Sequence, residues 1–317
     1  MTKRKITRAY IEGRSSYRAL ARFFRLDKNT VFKAVLEILS ELVDSDFISF
    51  HFHPKWSGIL SVDGKYIRIF DWSARHFHLS SKEKKAAHKG SFLAGVDVLT
   101  KDIPHHHLGD EETMIDLTMF FKTLKQIGYP LRVLITDGNT DIERAARHVY
   151  GDMFKVQLCH KHFIDTLNHY LKDERKEMKG ETERMIENIR ASIAKGEGLP
   201  LTSIKTETQE KILRYYQKNR HKLFLWTTLR GVPKTNNHIE NLFRQLNLRL
   251  KTVNIFQTRT TAEKYLNALV LARRFTAFTD CKGRNKFNNG KAPLELAGCD
   301  IKDFDYLTLK SNSKFRR

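Results

Sequence analysis

The sequence predicts an α/β core with a helical module at its start and an all-α insertion. Three observations carry that prediction. Short apolar β-prone runs alternate with helical periodicity between about residues 59 and 158. Long charged segments rich in Lys, Glu and Arg take over from about 164 to 225, and two short helical patterns occupy the first forty residues.

At the start, Tyr17, Leu20, Ala21 and Phe24 recur at helical spacing, and Arg25-Leu26-Asp27 breaks the pattern. A second run then carries Val31, Val35, Leu36 and Leu39. Asp27 or Asn29 can accept the free backbone N–H groups where the second helix begins. Two short helices and a tight turn on a basic chain suggest a helix-turn-helix separate from the rest. Its second helix would turn Lys28, Asn29, Thr30 and Lys33 toward DNA. The plainer alternative is a helical hairpin with solvated charges.

After a connecting stretch, Glu41 to Gly58, residues Ile59 to Phe70 read as two strands or one bent strand around Asp63-Gly64, and Ser91 to Leu99 as another. Met114, Leu117, Phe121 and Leu124 mark an amphipathic helix that stops at Gly128-Tyr129-Pro130. Leu131 to Thr136 is a short apolar strand suited to burial on both faces. Thr140 and Glu143 have capping-box spacing and open a helix that ends before Gly151, and Phe154 to Leu158 supplies a further strand. The insertion, with breaks at Gly180 and from Gly196 to Pro200, precedes a helix whose buried stripe is Ile239, Leu242, Phe243 and Leu246. Glu240, Arg244, Asn247 and Lys251 fall along its shoulder, and Arg249 is on the same basic helix. A second helix, Ala262 to Phe275, should pack against it. The predicted division is 1–45, 46–163, 164–230, 231–280 and a polar, basic, partly ordered tail over 281–317.

Three acids stand where chemistry on phosphate would need them: Asp63 and Asp137, each closing an apolar run, and Glu240 near a helix start. Strand ends gather ligands in open α/β sheets. Two strand carboxylates and one helix carboxylate make an oxygen cage for Mg²⁺ or Mn²⁺, and two such ions can promote in-line displacement at phosphorus. Each acid also has a bland reading. Asp-Gly favours turns, and Glu240 could close a cap on Asn237 or pair with Arg244. Asp97 is a competing carboxylate.

The chain resembles the DDE transposases of the bacterial insertion-sequence group related to Mutator-like elements. The resemblance rests on Val-Asp-Gly at 62–64, Thr-Asp-Gly at 136–138, the Cys159-x-x-His162 pair, and Thr-Asn-Asn-His-Ile-Glu ending at Glu240. It spans about Leu60 to Phe275. Each motif is weak alone; their order and spacing are specific, with 74 positions from Asp63 to Asp137 and 103 from Asp137 to Glu240. It implies a ribonuclease-H-like mixed sheet, a catalytic Asp63, Asp137 and Glu240 triad holding two Mg²⁺ (or Mn²⁺), and a Cys159/His162 pair beside the active site. The family often continues that pair with a basic residue and Asn, whereas this chain has Phe163-Ile164-Asp165. The activity implied is metal-dependent DNA cleavage and strand transfer at element ends, by a homodimer or larger assembly.

Composition agrees. Lys and Arg number 57 against 36 Asp and Glu, a net charge of +21 that attracts polyanions, double-stranded DNA first. A membrane is not expected as partner, since no apolar run approaches the roughly 20 residues of a span. Without a signal-peptide core after the basic start, and with only Cys159, Cys281 and Cys299, the expected compartment is the cytoplasm of a prokaryotic cell, at the nucleoid. Cys159, His160 and His162 offer zinc-type ligands, but no second matching pair lies nearby. His105-His106-His107 reads as a loop of solvated side chains. The alternatives in function are a structure-specific nuclease and a domesticated DNA-binding regulator. An RNA-binding protein should show stacking motifs that are not found.

Overall fold

The computed structural model of the chain describes residues 2–13, 15–69, 89–198, 203–253 and 255–309. Phe70, part of the break at Gly196 to Pro200, and the last eight residues of the expected tail lie outside them.

Five strands form one sheet: β1 (Ile59–Arg68), β2 (Lys89–Asp97), β3 (His106–Gly109), β4 (Val133–Thr136) and β5 (Lys155–Leu158), in the order β3-β2-β1-β4-β5. β1 runs antiparallel to β2, and β2 antiparallel to β3, while β4 and β5 lie parallel to β1. That mixed order, with helices on both faces, is ribonuclease-H-like. β1 is one continuous strand rather than two, so Asp63-Gly64 is not a turn but pairs mid-strand with Ala94 and Leu93. Gly64 is there for space. A Cβ on it would stand 2.0 Å from the Glu112 carboxylate.

Strand alternation fixes the two faces. Leu60, Val62 and Leu134 join the core beneath α5 (Met114–Gln126) and α6 (Thr140–Tyr150). Ile59, Val133 and Ile135 turn the other way, toward Leu225 and Val232. Asp63 and Asp137 share that second parity. α6 begins at a different cap from the expected one: the Asn139 side chain accepts from Asp141 N–H. Glu143 is drawn instead into ion pairs with Arg147 and Lys222.

The helices at the start are three: α1 (Lys3–Ile11), α2 (Tyr17–Phe24) and α3 (Lys28–Glu41), and α4 (Ser45–Phe52) occupies the expected connecting stretch. Arg25 turns the chain in the left-handed region at φ 53°, and Asp27 caps α3 through bonds to Asn29 and Thr30 N–H. Their apolar residues do not form a core of their own. Ile6, Tyr10, Leu20, Val31 and Val35 belong to one cluster with residues of β2, of α11 (Asn237–Val253) and of α12 (Arg259–Phe275). The tail departs from the partly ordered stretch expected. Leu294, at the one-turn helix α13 (Pro293–Leu296), and Ile301, Tyr306, Leu307 and Leu309 are buried in that same cluster.

The charged middle segment folds as α7 (His160–Tyr170), α8 (Lys179–Lys195) and α9 (Glu207–Leu223), packed around Phe163, Leu167, Ile189 and Ile212, before the short α10 (Leu225–Thr228). Lys222 pairs with Glu143 at 2.6 Å and so fastens α9 to α6. The histidine run is not a solvated loop. His105 is buried and bonded to Asp46 at 2.7 Å, and His107 meets Asp116 at 3.2 Å.

Candidate active site

Asp63 and Asp137 meet because of strand register. Ser61 of β1 stands opposite Ile135 of β4 in a parallel pair. Continuing two residues along each strand puts Asp63 beside Asp137 on the same face, on strands about 4.8 Å apart. Asp137 Oδ1 accepts from Asn139 N–H at 2.9 Å, and Asp63 Oδ1 from Gly64 N–H at 2.8 Å. Burial pushes the Asp63 carboxyl up to about 7; the charges of Asp137 and Glu112 add to the shift, while Gly64 N–H and His162 oppose it.

Glu240 reaches the pair from the first turn of α11, through His162. The His162 Nε2 atom is 4.0 Å from Glu240 Oε1, and His162 also feels the charge of Asp137. A hydrogen bond with Cys159, with the charges of Cys159, Asp137 and Glu240, raises the imidazole above its ordinary value against the effect of burial. Burial disfavours the Cys159 thiolate, but His162 and the Asn236 N–H outweigh it and lower that thiol. Lys161 Nζ stands 3.3 Å from Glu240 Oε2, whereas Glu240 Oε1 is buried with no hydrogen-bond partner.

Hard oxygen donors are present, but the ligand atoms of Asp63, Asp137 and Glu240 are not gathered within 4.8 Å of one another among the described residues. Carboxylates crowd one another, one is pushed toward its neutral form, and a buried carboxylate oxygen lacks a donor. Cys159, His162 and Glu240 do bring ligand atoms within 4.8 Å of one another, and no fourth Cys, His, Asp or Glu joins that group among the described residues. Structural zinc takes four ligands.

Three neighbours of these acids were not singled out in the sequence. Glu112, in the loop after β3, lies against Gly64 and accepts from Ser91 Oγ at 3.4 Å; burial, with the charge of Asp137, raises its carboxyl. Nothing in its Asp110-Glu111-Glu112 setting marks it. Lys161 lies inside the Cys-x-x-His motif, and that position could have drawn notice. Tyr215 of the insertion stacks on Phe163 and is close enough to Asp137 to feel its charge.

The competing groups are structural. Asp97 is buried and accepts from Ser57 N–H and Oγ, Thr100 N–H and Oγ1, and Tyr129 OH. His160 is tied to the Leu223 carbonyl at 2.8 Å. Of the cations expected to face DNA, Lys28 and Lys33 are exposed on α3, as are Asn29 and Thr30, and Arg244 and Lys251 are exposed on α11. Arg249 is a correction. It is buried and donates to the Tyr10 carbonyl at 2.7 Å, because its position on α11 faces α1 rather than solvent.

The fold is a ribonuclease-H-like mixed sheet that carries Asp63 of β1 and Asp137, just past the end of β4, side by side, with Glu240 on a helix beyond His162. The chain belongs to the Mutator family of transposases: the family described as "Transposase, Mutator family" matches residues 97–276, more than half of its length. That span holds Asp137, Cys159, His162 and Glu240, with Asp63 before it. The Drosophila P element transposase strand transfer complex is similar at a TM-score of 0.37 and 10% identity, over 85% of this chain and 78% of that one, too weak a likeness to bear on the site. No curated protein matches the chain. No described helix is long and apolar enough to cross a membrane.

Proposed function

We propose that this transposase binds the ends of its element and carries out metal-dependent strand cleavage and strand transfer with Asp63, Asp137 and Glu240. The observation that supports the reading is the common face of β1 and β4, where two half-buried acids lie side by side, with Glu240 on the far side of His162, which feels the charges of both Asp137 and Glu240. Divalent Mg²⁺ or Mn²⁺ bound by these carboxylates would assist the attacking oxygen and stabilise the leaving one.

The chain's own residues position and neutralise. In the first step a water oxygen bonds to phosphorus, the P–O3′ bond breaks, and the 3′ oxygen leaves with a proton. In the second that 3′-OH attacks a target phosphodiester and displaces another 3′ oxygen. Lys161, exposed beside Glu240, is suited to hold a phosphate at the rim, and Arg244 and Lys251 to carry the duplex along α11. The first turn of α3, Lys28, Asn29 and Thr30 with Lys33 following, is suited to base edges in the major groove. Two element ends and one target call for a homodimer or larger assembly on DNA. Recognition of the element ends by residues 1–45 belongs to this proposal.

Asp137→Asn keeps shape but loses the charge a cation requires. Cleavage of an end-containing duplex in Mg²⁺ should fall by at least about a thousandfold while affinity for that duplex stays within about twofold. Retained cleavage would remove Asp137 from the site. Cleavage without joining by the unsubstituted protein, under conditions that offer a target, would favour a nuclease.

A further inference from the structure

We propose that Asn236 is the positioning residue that locks the Glu240 helix onto the Asp63 strand and the Cys159 corner; the proposal rests on the reading of Asp63, Asp137 and Glu240 as cation ligands. Asn236 is fully buried one residue before α11. Its Nδ2 donates to the Val62 carbonyl at 3.3 Å, and Ser61 Oγ donates to its Oδ1. Its backbone N–H donates to Cys159 Sγ at 3.3 Å, and its carbonyl accepts from Glu240 N–H at 3.2 Å. One residue therefore bonds to the two positions preceding Asp63, to the first residue of the Cys-x-x-His motif, and to Glu240 itself.

The chemistry calls for an amide. The Val62 carbonyl can only accept, so the atom facing it must be the NH₂, which leaves Oδ1 for the Ser61 hydroxyl. An aspartate could not donate to Val62 and would add another negative charge beside Asp63. A leucine of similar size would leave Ser61 Oγ and the Val62 carbonyl without these partners in a dry place. A neutral donor-acceptor side chain satisfies both and holds the acids at a set spacing against their mutual repulsion. Ligand spacing of this kind must be kept to about 0.5 Å for productive binding.

The same network gives Cys159 a part that needs no metal. Its thiol receives the Asn236 N–H on one side and adjoins His162 on the other. The β5 corner, the α11 start and the imidazole next to Glu240 are thereby joined.

The test uses the full chain, with Asn236→Ala and Ser61→Ala beside the ligand variants Asp63→Asn and Glu240→Gln. Loss of a residue that orients metal ligands commonly costs about 10- to 100-fold in metal affinity. Asn236→Ala should then need about tenfold or more Mg²⁺ for half-maximal cleavage, with the rate at saturating Mg²⁺ within a few-fold of the unsubstituted protein. The Mg²⁺-induced rise in melting temperature, read without DNA, should shift to higher Mg²⁺ by the same factor. A merely structural role would lower the melting temperature at every Mg²⁺ concentration without moving the titration. Should Asn236→Ala fail to fold, Ser61→Ala decides, since it removes one link and leaves the backbone bonds; a shift of about threefold is expected. Unchanged Mg²⁺ titrations in whichever variant folds would overturn the positioning role. Asp63→Asn and Glu240→Gln cleaving at full rate would instead overturn the reading of the acids, so the two failures are told apart.

Discussion

Asp63 pits its charge against its surroundings. Burial and the neighbouring Asp137 and Glu112 hold its carboxyl up to about 7, far above an ordinary aspartate. Between the unfolded value near 3.8 and the folded value, the folded chain keeps a proton that the unfolded chain releases. Stability of the chelator-treated protein should therefore fall as pH rises from about 4 to about 7 and change little above that from this group. Asp63→Asn should remove the fall: in melting scans with chelator it should be more stable than the unsubstituted protein at pH 8 and nearly equal at pH 4. An equal melting difference at both values would show that Asp63 is not the group in conflict. Asp63, Asp137, Glu240 and the Cys159/His162 pair were legible as residues because each belongs to a short ordered motif. Glu112 and Lys161 were not, since one arrives on a loop and the other owes its role to where α7 points.

Among elements, periodicity located four of the five strands and most of the helices but missed β3, whose His106-His107 read as loop, and it could not say which shoulder of a helix would be covered. Arg249 shows why. Its neighbours at helical spacing read as a basic face, yet α1 packs there and takes its guanidinium through the Tyr10 carbonyl. α1 and α4 escaped the sequence reading for a related reason. α1 is short and basic, and α4 mixes Phe, Ile and Ser in a helix of eight residues that depends on its Asp44 cap and on burial of Ile48. Salt titrations of DNA binding separate the two kinds of arginine. Arg244→Ala should make the log–log slope shallower by about 0.9, one phosphate's worth, with little change in stability. Arg249→Ala should leave the slope alone and cost about 1–3 kcal/mol in denaturant unfolding, because the Tyr10 carbonyl loses a charged donor. The reverse pattern would restore Arg249 to the DNA face.

At the scale of the whole molecule, the start and the tail are one structural unit with the second half of the core. α1 and α3 share their apolar cluster with α11, α12 and residues 294–309, and Arg8 of α1 pairs with Asp305 at 2.5 Å. Arg274 of α12, wholly buried, makes a two-pronged pair with Asp102 and also donates to the Ser45 carbonyl at 2.7 Å, binding α4 into the same body. Composition alone suggested a loose basic tail, because its few apolar residues are spread through polar sequence and find their partners only across the fold. Removing residues 1–45 would thus strip the packing from α12 and the tail, so end recognition is better tested by a point change in the intact chain. Asn29 is exposed in the first turn of α3, where its backbone N–H is already bonded to Asp27 and its side chain is free to reach outward. If that turn reads bases, Asn29→Ala should reduce the preference for element-end over random duplex by about 1–3 kcal/mol, roughly five- to a hundredfold, because one base contact carries that much discrimination. Binding to random duplex should stay within about twofold, since phosphate contacts elsewhere supply the sequence-independent part. Paired titrations on the two duplexes at one salt concentration measure both. An unchanged ratio would move end recognition away from α3 and toward the insertion, whose α9 is fastened to α6 by Lys222 and Glu143.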